Sequence, residues 1–398
     1  MRILRWFFLK NNLAFFIYLV LTLSIASVLF SMAVSSLLGI LAFLAFLLYS
    51  YKYGVVTSQR NNFLFILLIF PFILTLINLL YTSSCEDAPL DLILKEINIV
   101  LFATPVFFIQ RISKKELSLL LHVFSYFVLL AFLLSYIKGI NLYLATGRFM
   151  YFGDLKEIAL IQHNYLCLYG LFACAIWLKG LLSKRSGFLG LFVLVKVAIV
   201  ISFIFFVSSR TAIILSFILF IGFVFFLAKE RTGKLRMAYV VLCAIFFFGI
   251  LIFQSPNTIF RFKRVLDDKN NPRTTIWRCS VMLVDENSTF FSGMGRSCIQ
   301  ENLNTCISSF STRKDWLGLH AHNQILFFLL RFGYLQTFIL VMILLYFFYL
   351  AIQERSFIFL ILVSTILVFG LTEIYLTRRF GILYYSFFLS TFLKNKKI

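Results

Sequence analysis

Long runs of apolar residues, separated by short polar stretches, dominate the chain. They lie at about 13–30, 34–50, 63–81, 91–109, 117–137, 159–178, 188–207, 211–228, 238–254, 335–352, 357–376 and 380–393. A helix needs roughly 20 apolar residues to cross a bilayer, whereas the strands of a membrane barrel are shorter and alternate in polarity. Because the runs are long and continuous, they predict an all-α integral membrane protein with about twelve transmembrane helices.

The composition supports the same class. Of the 398 residues, 61% are hydrophobic and 13% are charged, and the mean hydropathy is +0.96. About a quarter of the residues of a soluble domain are charged, so an ordinary soluble domain is excluded. We expect one integral domain, with spans 1–9 in residues 1–254, a long loop with short helices in 255–334, and spans 10–12 in 335–398.

The basic residues predict the orientation of the chain. If both termini are cytoplasmic, 19 of the 37 Lys and Arg residues fall in cytoplasmic segments, as the positive-inside rule requires. The rule therefore explains much of the net charge of +21, and nucleic-acid binding is not expected. The long loop then lies outside, where residues 255–321 hold nine basic and six acidic residues.

Several common sites are missing from the sequence. It lacks a P-loop, a glycine-rich dinucleotide motif, HExxH and GxSxG, so we expect no cofactor and no ATP hydrolysis. His320 and His322 are two residues apart with no third ligand beside them, so no metal site is expected. Among the cysteines expected outside, Cys298 and Cys306 are the first candidates for a disulfide.

Two charged residues interrupt or border apolar runs near the outer side. Arg210 lies between two runs, where it either extends to the membrane interface or binds phosphate through its planar guanidinium. Glu373 lies inside the run 357–376. Acids within a membrane are usually functional or paired. Two roles are therefore open for Glu373. It either forms a structural ion pair with Arg378, Arg379 or Arg210, or it takes part in catalysis.

The long loop contains two further candidates. Arg273 opens a short helical stretch that also contains Trp277, and the stretch is followed by Gly293 and Gly295, which allow a tight turn and a close approach of the backbone to a ligand. His322 stands at the start of an apolar run, next to Asn323, which could orient the ring. A neutral imidazole is the commonest general base at neutral pH, although a polar interfacial residue without a task fits as well.

Taken in order, these features resemble the O-antigen ligase family and its polymerase relatives. The resemblance rests on the many spans, Ser-Arg-Thr-Ala at 209–212, Arg273 with Trp277 in a long outer loop, His322-Asn323, and Gly333 ten residues after Asn323. The family commonly has a second glycine three residues later, where this chain has Gln336.

The resemblance implies a membrane-embedded, GT-C-like glycosyltransferase with twelve spans in the bacterial inner membrane, acting at its periplasmic face without metal or ATP. The donor would be a glycan on undecaprenyl diphosphate, and the acceptor a sugar hydroxyl of lipid A-core. Arg210 and Arg273 would hold the diphosphate, and His322 would act as general base in an inverting transfer. Trp277, Asn323 and Glu373 would support them.

Further basic residues are expected to contact lipids. Arg296, Arg313 and Lys314 are candidates for binding phosphates of the acceptor, and membrane lipids surround the spans. The sequence does not set the oligomeric state.

Two alternatives remain open at this point. An O-antigen polymerase would use a second lipid-linked glycan as acceptor, and the His-Asn pair favours the ligase over it. A secondary transporter of an anionic lipid or solute often shows repeated halves and polar groups at the membrane midplane. Here the polar residues collect at one face, and no repeat is evident.

Overall fold

The computed structural model describes residues 9–81, 89–147, 158–183, 187–207, 209–230, 272–287, 290–310, 313 and 316–395. Every regular element within these ranges is helical. In chain order the helices are α1 (Lys10–Ser27), α2 (Met32–Tyr53), α3 (Gln59–Tyr81), α4 (Pro89–Phe108), α5 (Lys114–Thr146), α6 (His163–Ser183), α7 (Gly187–Phe206), α8 (Arg210–Glu230), α9 (Pro272–Asn287), α10 (Arg296–Phe310), α11 (Gln324–Phe332), α12 (Tyr334–Gln353), α13 (Phe357–Gly370) and α14.

The last helix, α14, is continuous but not uniform. It runs through an α-helical part, Arg379–Leu383, a π-helical part, Tyr384–Phe388, and a second α-helical part, Leu389–Lys394. A single 3-10 turn, Tyr375–Thr377, precedes it. The connection between α13 and α14 is therefore compact, and its few residues are held in a defined conformation.

The helices agree with the predicted class of protein. Five of them, α1, α2, α3, α5 and α12, are long and apolar enough to cross a membrane, and α7, α8 and α13 contain shorter apolar stretches. This is consistent with an all-α, multi-pass membrane protein. The predicted run 238–254 lies outside the described residues, and each of the other runs contains a described helix. The number of spans and the division into 1–254, 255–334 and 335–398 stay predictions.

One predicted run is too long. The sequence pattern predicts a helix throughout 357–376, but α13 ends at Gly370, and Glu373 lies in the connection to α14. The chain leaves the helix because its polar side chains bond to other helices. Thr211 Oγ1 donates to Thr372 Oγ1 at 2.7 Å, and Asn164 Nδ2 donates to Glu373 Oε1 at 2.6 Å.

The centre of the molecule is formed by α6 and α14. Helix α6 packs against α5, α7, α8 and α13, and its side chains at 165–178 are all buried. A helix that is apolar on all sides is stable only inside a protein or a membrane. Tyr169 donates from its hydroxyl to the carbonyl of Phe380 at 2.9 Å, and the Phe172 ring packs on those of Tyr384 and Phe388. The outer helices therefore surround an aromatic core.

A buried ion pair fixes the short helix α11. Arg331 Nη1 donates to Glu96 Oε1 at 2.7 Å, and both side chains are 2% exposed. Arg331 Nη2 also donates to Thr75 Oγ1 at 2.8 Å and to Glu96 Oε2 at 3.3 Å. On the other side, Asn78 Nδ2 donates to the carbonyl of Arg331 at 3.1 Å. The end of α11 is thus bonded to α3 and α4.

Gly333 lets the chain turn from α11 directly into α12. It ends one helix and precedes the first residue of the next, with φ of 84° and ψ of −176°. This region of backbone conformation is accessible almost only to glycine. The backbone conformation at position 333 therefore requires glycine.

The disulfide prediction was wrong in its pairing. Cys306 is bonded to Cys279, with the Cα atoms 5.8 Å apart, and this bond joins α10 to α9. Cys298 and Cys306 lie on the same helix, where eight residues correspond to about 12 Å along the axis. A disulfide needs Cα atoms within about 7 Å, so the helix itself prevents that pairing. Cys298 is also in a disulfide, with a partner other than Cys306.

The buried Glu96–Arg331 ion pair predicts that removal of its acidic partner destabilises the protein strongly. In the variant Glu96→Gln, Arg331 keeps its charge in a buried site without a counter-charge, and we expect a loss of about 3–5 kcal/mol in the free energy of unfolding. Chemical unfolding in detergent micelles measures this loss. The double variant Glu96→Gln with Arg331→Gln removes both charges and should recover much of it. A single variant as stable as the unmodified protein would contradict the prediction.

Candidate active site

The carboxylate of Glu373 is the centre of a group of polar residues from four parts of the chain. Glu373 is 4% exposed. Its Oε1 accepts hydrogen bonds from Asn164 Nδ2 at 2.6 Å and from Arg273 Nη2 at 3.2 Å. Its Oε2 faces His322 Nδ1 at 3.4 Å. An amide, a guanidinium and an imidazole therefore converge on one buried acid.

The surroundings keep this acid ionised. Burial by itself raises the pKa of the Glu373 carboxyl. The hydrogen bond from His322, the positive charge of Arg273 and, whenever they are protonated, the imidazoles of His322 and His163 act in the opposite direction, so the pKa lies below its ordinary value. Glu373 is thus a fixed negative charge at neutral pH.

The backbone at His322 is unusual. Its φ is +47°, in the left-handed region that non-glycine residues seldom adopt. Strain of this kind costs about 1–3 kcal/mol, persists only where the surroundings impose it, and is common at functional sites. On one side, Trp277 Nε1 donates to the carbonyl of Ala321 at 2.9 Å. On the other side, Asn323 Oδ1 accepts from the amides of Ile325 and Leu326 and caps α11.

These contacts change the roles expected for the neighbours of His322. The sequence predicts that Asn323 orients the ring, but its side-chain oxygen is used as a helix cap. The group that contacts the imidazole is the Glu373 carboxylate. Trp277 holds the segment of chain that leads into His322.

Both arginines stand at the starts of helices. Arg273 follows Pro272 at the start of α9, where proline fits because it has no backbone N–H to satisfy. Arg210 is the first residue of α8, and the preceding Ser209 donates from Oγ to Asn164 Oδ1 at 3.2 Å. Asn164 therefore contacts both the start of α8 and the Glu373 carboxylate.

The two guanidinium groups lie within electrostatic range of each other. Arg273 is paired with Glu373, whereas Arg210 has no acidic partner among the described residues. Two cations that interact electrostatically, one of them without an acidic partner in the described ranges, form a favourable place for a multiply charged anion. The structure thus brings Arg210, Arg273, His322 and Glu373 together.

The remaining candidates stand apart from this group or outside the described residues. Arg313 is exposed, and its guanidinium lies 5.5 Å from the centroid of the Trp316 ring. Arg296 begins α10, but its side chain is outside the described part, as is the whole of Lys314. In the ranges that the structure covers, Glu373 does not pair with Arg378, Arg379 or Arg210, the three partners considered from the sequence, because Arg273 and His322 occupy the carboxylate.

No group of three or more His, Cys, Asp or Glu side chains in the described ranges is arranged to hold a metal ion. Within the described part of the chain, the charged groups gathered around Glu373 are Arg273 and His322, and Arg210 interacts electrostatically with Arg273.

Comparison with known proteins supports the resemblance seen in the sequence. The family model described as O-antigen ligase matches residues 196–341. This match supports assignment to the O-antigen ligase family. It begins within α7, ends within α12, and includes Arg210, Arg273, His322 and Gly333. No curated protein sequence matches the chain.

The assignment to the O-antigen ligase family also supports function at a coarse level. It indicates a membrane glycosyltransferase-type enzyme of the ligase or polymerase kind that uses lipid-linked glycan and lipid substrates. Glu373 and Asn164 lie outside the matched segment, yet both are bonded to residues inside it.

Two members of the site are not evident from the sequence. Asn164 lies in the sequence Gln162-His163-Asn164 at the start of α6, which helix capping or local hydrogen bonding would explain, but its side chain joins Ser209 to Glu373. Thr372 is not singled out either, although it accepts a hydrogen bond from Thr211. The feature of the sequence that could have pointed to both residues is the clustering of polar residues at the ends of apolar runs on the same predicted side of the membrane.

The depressed pKa of Glu373 predicts a stability effect in acid. A carboxylate whose native pKa is lowered stabilises the fold above its unfolded pKa, and this contribution disappears as the pH falls through the native pKa. We therefore expect the unmodified protein to unfold at a higher temperature than Glu373→Gln near neutral pH, and the difference to vanish in strong acid. Thermal unfolding of both proteins across this range measures it. A difference that is constant with pH would contradict the prediction.

Proposed function

We propose that the protein is an O-antigen ligase. It transfers a glycan from undecaprenyl diphosphate to a sugar hydroxyl of lipid A-core at the periplasmic face of the bacterial inner membrane, with inversion and without a metal. The observation that carries the proposal is the contact of His322 Nδ1 with Glu373 Oε2, 3.4 Å apart, beside Arg273 and Arg210.

The His322–Glu373 contact suits a general base. When Nδ1 donates its proton to the carboxylate, Nε2 keeps its lone pair and can accept a proton from the acceptor hydroxyl. The fixed charge of Glu373 also stabilises the imidazolium that forms. Catalytic hydrogen bonds are often longer before the substrate binds, so a separation of 3.4 Å is compatible with this role.

The two arginines suit the leaving group. As the acceptor oxygen forms its bond to the anomeric carbon, the bond from that carbon to the diphosphate oxygen breaks, and the diphosphate leaves with the electron pair. Arg210 and Arg273 neutralise the charge that grows on it, an effect typically worth about 3–4 kcal/mol per donor. The planar fork of each guanidinium matches two phosphoryl oxygens at once.

The disulfide supports the periplasmic side. Cys279 and Cys306 are bonded within the segment that carries Arg273, and disulfides persist in oxidising compartments such as the periplasm. The same side of the membrane holds the lipid-linked donor and the core acceptor in the proposed reaction. Both termini are then cytoplasmic.

Reconstituted transfer with two acceptors tests the proposal and separates it from polymerisation. The purified protein receives lipid-linked glycan with and without rough lipopolysaccharide. Glycan attached to the core supports a ligase, whereas longer chains on the carrier lipid without core attachment identify a polymerase. Flux of an anionic solute through liposomes without any glycan transfer would instead indicate a transporter.

Substitution of His322 tests the base. His322→Asn preserves a residue type that tolerates the left-handed backbone but cannot act as a base, so it separates the chemistry from the strain. We expect a loss of about 10²–10⁴-fold in transfer rate, the usual contribution of general base catalysis. His320→Asn, two residues earlier, is the matched control and should keep most activity. Wild-type rates in His322→Asn would exclude proton transfer at this residue.

Lysine substitutions test the arginines. Arg210→Lys and Arg273→Lys keep the charge but lose the fork, and we expect a strong loss of transfer with normal membrane insertion. Arg273→Lys also weakens the pair with Glu373. Arg278→Lys on the same helix is the control, because Arg278 is exposed and its guanidinium lies over the Phe310 ring. Full activity in both Arg210→Lys and Arg273→Lys would contradict a role for these side chains in holding the diphosphate.

A further inference from the structure

Two neighbouring aromatic side chains project from the loop between α9 and α10. Phe290 is 58% exposed and Phe291 is 67% exposed, and their rings contact each other edge to face, with centroids 4.9 Å apart. Together with Phe338, which is 62% exposed, they are the three most exposed phenylalanines in the described part of the chain. Apolar rings this exposed in a loop mark a surface that meets an apolar partner.

The backbone fixes these rings beside the start of α12. The carbonyl of Phe290 accepts from the amide of Leu335 at 2.9 Å, and that of Phe291 accepts from Gln336 Nε2 at 2.8 Å. Both donors belong to the first turn of α12. The rings therefore lie within about one helical turn of the point where α12 begins, and α12 is one of the helices long and apolar enough to cross a membrane.

The following residues press the same loop against α11. The amide of Met294 donates to the carbonyl of Leu330 at 2.8 Å. A Cβ atom on Gly293 would lie 2.4 Å from that carbonyl oxygen, so only glycine permits this approach. From the sequence, Gly293 and Gly295 are expected to allow a close approach of the backbone to a ligand. In the structure, Gly293 instead lies close to the backbone of α11. These contacts hold the loop in a fixed position against both α11 and α12.

The exposed rings continue an apolar stripe on α12. Tyr334, Phe338, Met342 and Tyr349 on that helix are all exposed apolar or aromatic side chains, and in a membrane span such a stripe faces lipid. No charged residue occurs between Glu286 and Arg296, so the loop carries nothing that opposes entry into the interface. Tryptophan and tyrosine are enriched at the boundary between membrane and water, and phenylalanine is typical of the apolar face of segments that lie at this boundary.

We infer that Phe290 and Phe291 insert into the membrane leaflet on the same side as His322 and anchor the α9–α10 segment to the lipid surface. The occupant of this surface is the bilayer, because the rings extend the lipid-facing stripe of α12. Helix α9 ends three residues before Phe290 and carries Arg273 at its other end. The anchor thus fixes the depth of α9 over the membrane, and the inference does not depend on the reaction proposed above.

Tryptophan fluorescence in proteoliposomes tests the anchor. The variant Phe291→Trp reports from the ring position, and the signal of the native tryptophans is subtracted with the unmodified protein as reference. The vesicles contain phospholipids with bromine atoms placed either near the headgroup or near the bilayer centre. We expect the signal of the introduced indole to be quenched most by the shallow bromines and to be shielded from acrylamide in water. Glu301→Trp, at an exposed charged position on α10, is the matched reporter and should respond in the opposite way, because a charged side chain marks a surface that faces water.

Two results would overturn the inference. Strong quenching of the introduced indole by acrylamide and none by brominated lipid would place the ring in water. Protection from both quenchers, together with cross-linking between two protein molecules, would show that a second copy covers the rings. Because Phe291→Trp replaces one exposed aromatic ring by another, the fold of this variant should be unchanged, and its unfolding temperature checks this.

Discussion

The candidate site depends on one buried negative charge. Glu373 can stay ionised away from water only because Asn164, Arg273 and His322 supply hydrogen bonds and positive charge to it. An unpaired carboxylate in such a place would be expensive, and the positive charge of Arg273 beside Arg210 is partly offset by its pair with Glu373. The carboxylate therefore offsets part of the positive charge that Arg273 and the neighbouring Arg210 bring to this part of the protein.

A second buried acid performs a purely structural task nearby. Glu96 bonds to Arg331 at the end of α11, while His322 lies just before the start of the same helix. The short helix is thus fixed at its end by one ion pair and near its start by the contact with Glu373. Gly333 lets α12 follow at once, so the helix has little freedom to shift. This rigidity suits a base that must meet a substrate oxygen in one orientation.

Much of the architecture was predictable from the sequence, whereas the contacts within the site were not. The apolar runs identified the helices because burial in lipid or protein imposes long continuous apolar segments. The end of α13 was missed, since Thr372 and Glu373 are drawn out of the helix by partners on α6 and α8 that no local pattern reveals. The disulfide was mispaired because no apolar run marks the helix at 296–310, which separates Cys298 from Cys306. Arg210, Arg273 and His322 were found individually, but the residue that connects them, Asn164, resembled an ordinary cap.

The gathering of distant segments on Glu373 has a consequence for biosynthesis. Helices enter the membrane in chain order, so the starts of α6, α8 and α9 and the residue His322 are all made before α13 and the turn that follows it. Until that turn arrives, the nascent protein holds two arginines and an imidazole without their counter-charge, and water or lipid phosphate must solvate them. The segment that contains α13 and α14 therefore completes the electrostatic balance of the protein as well as its packing.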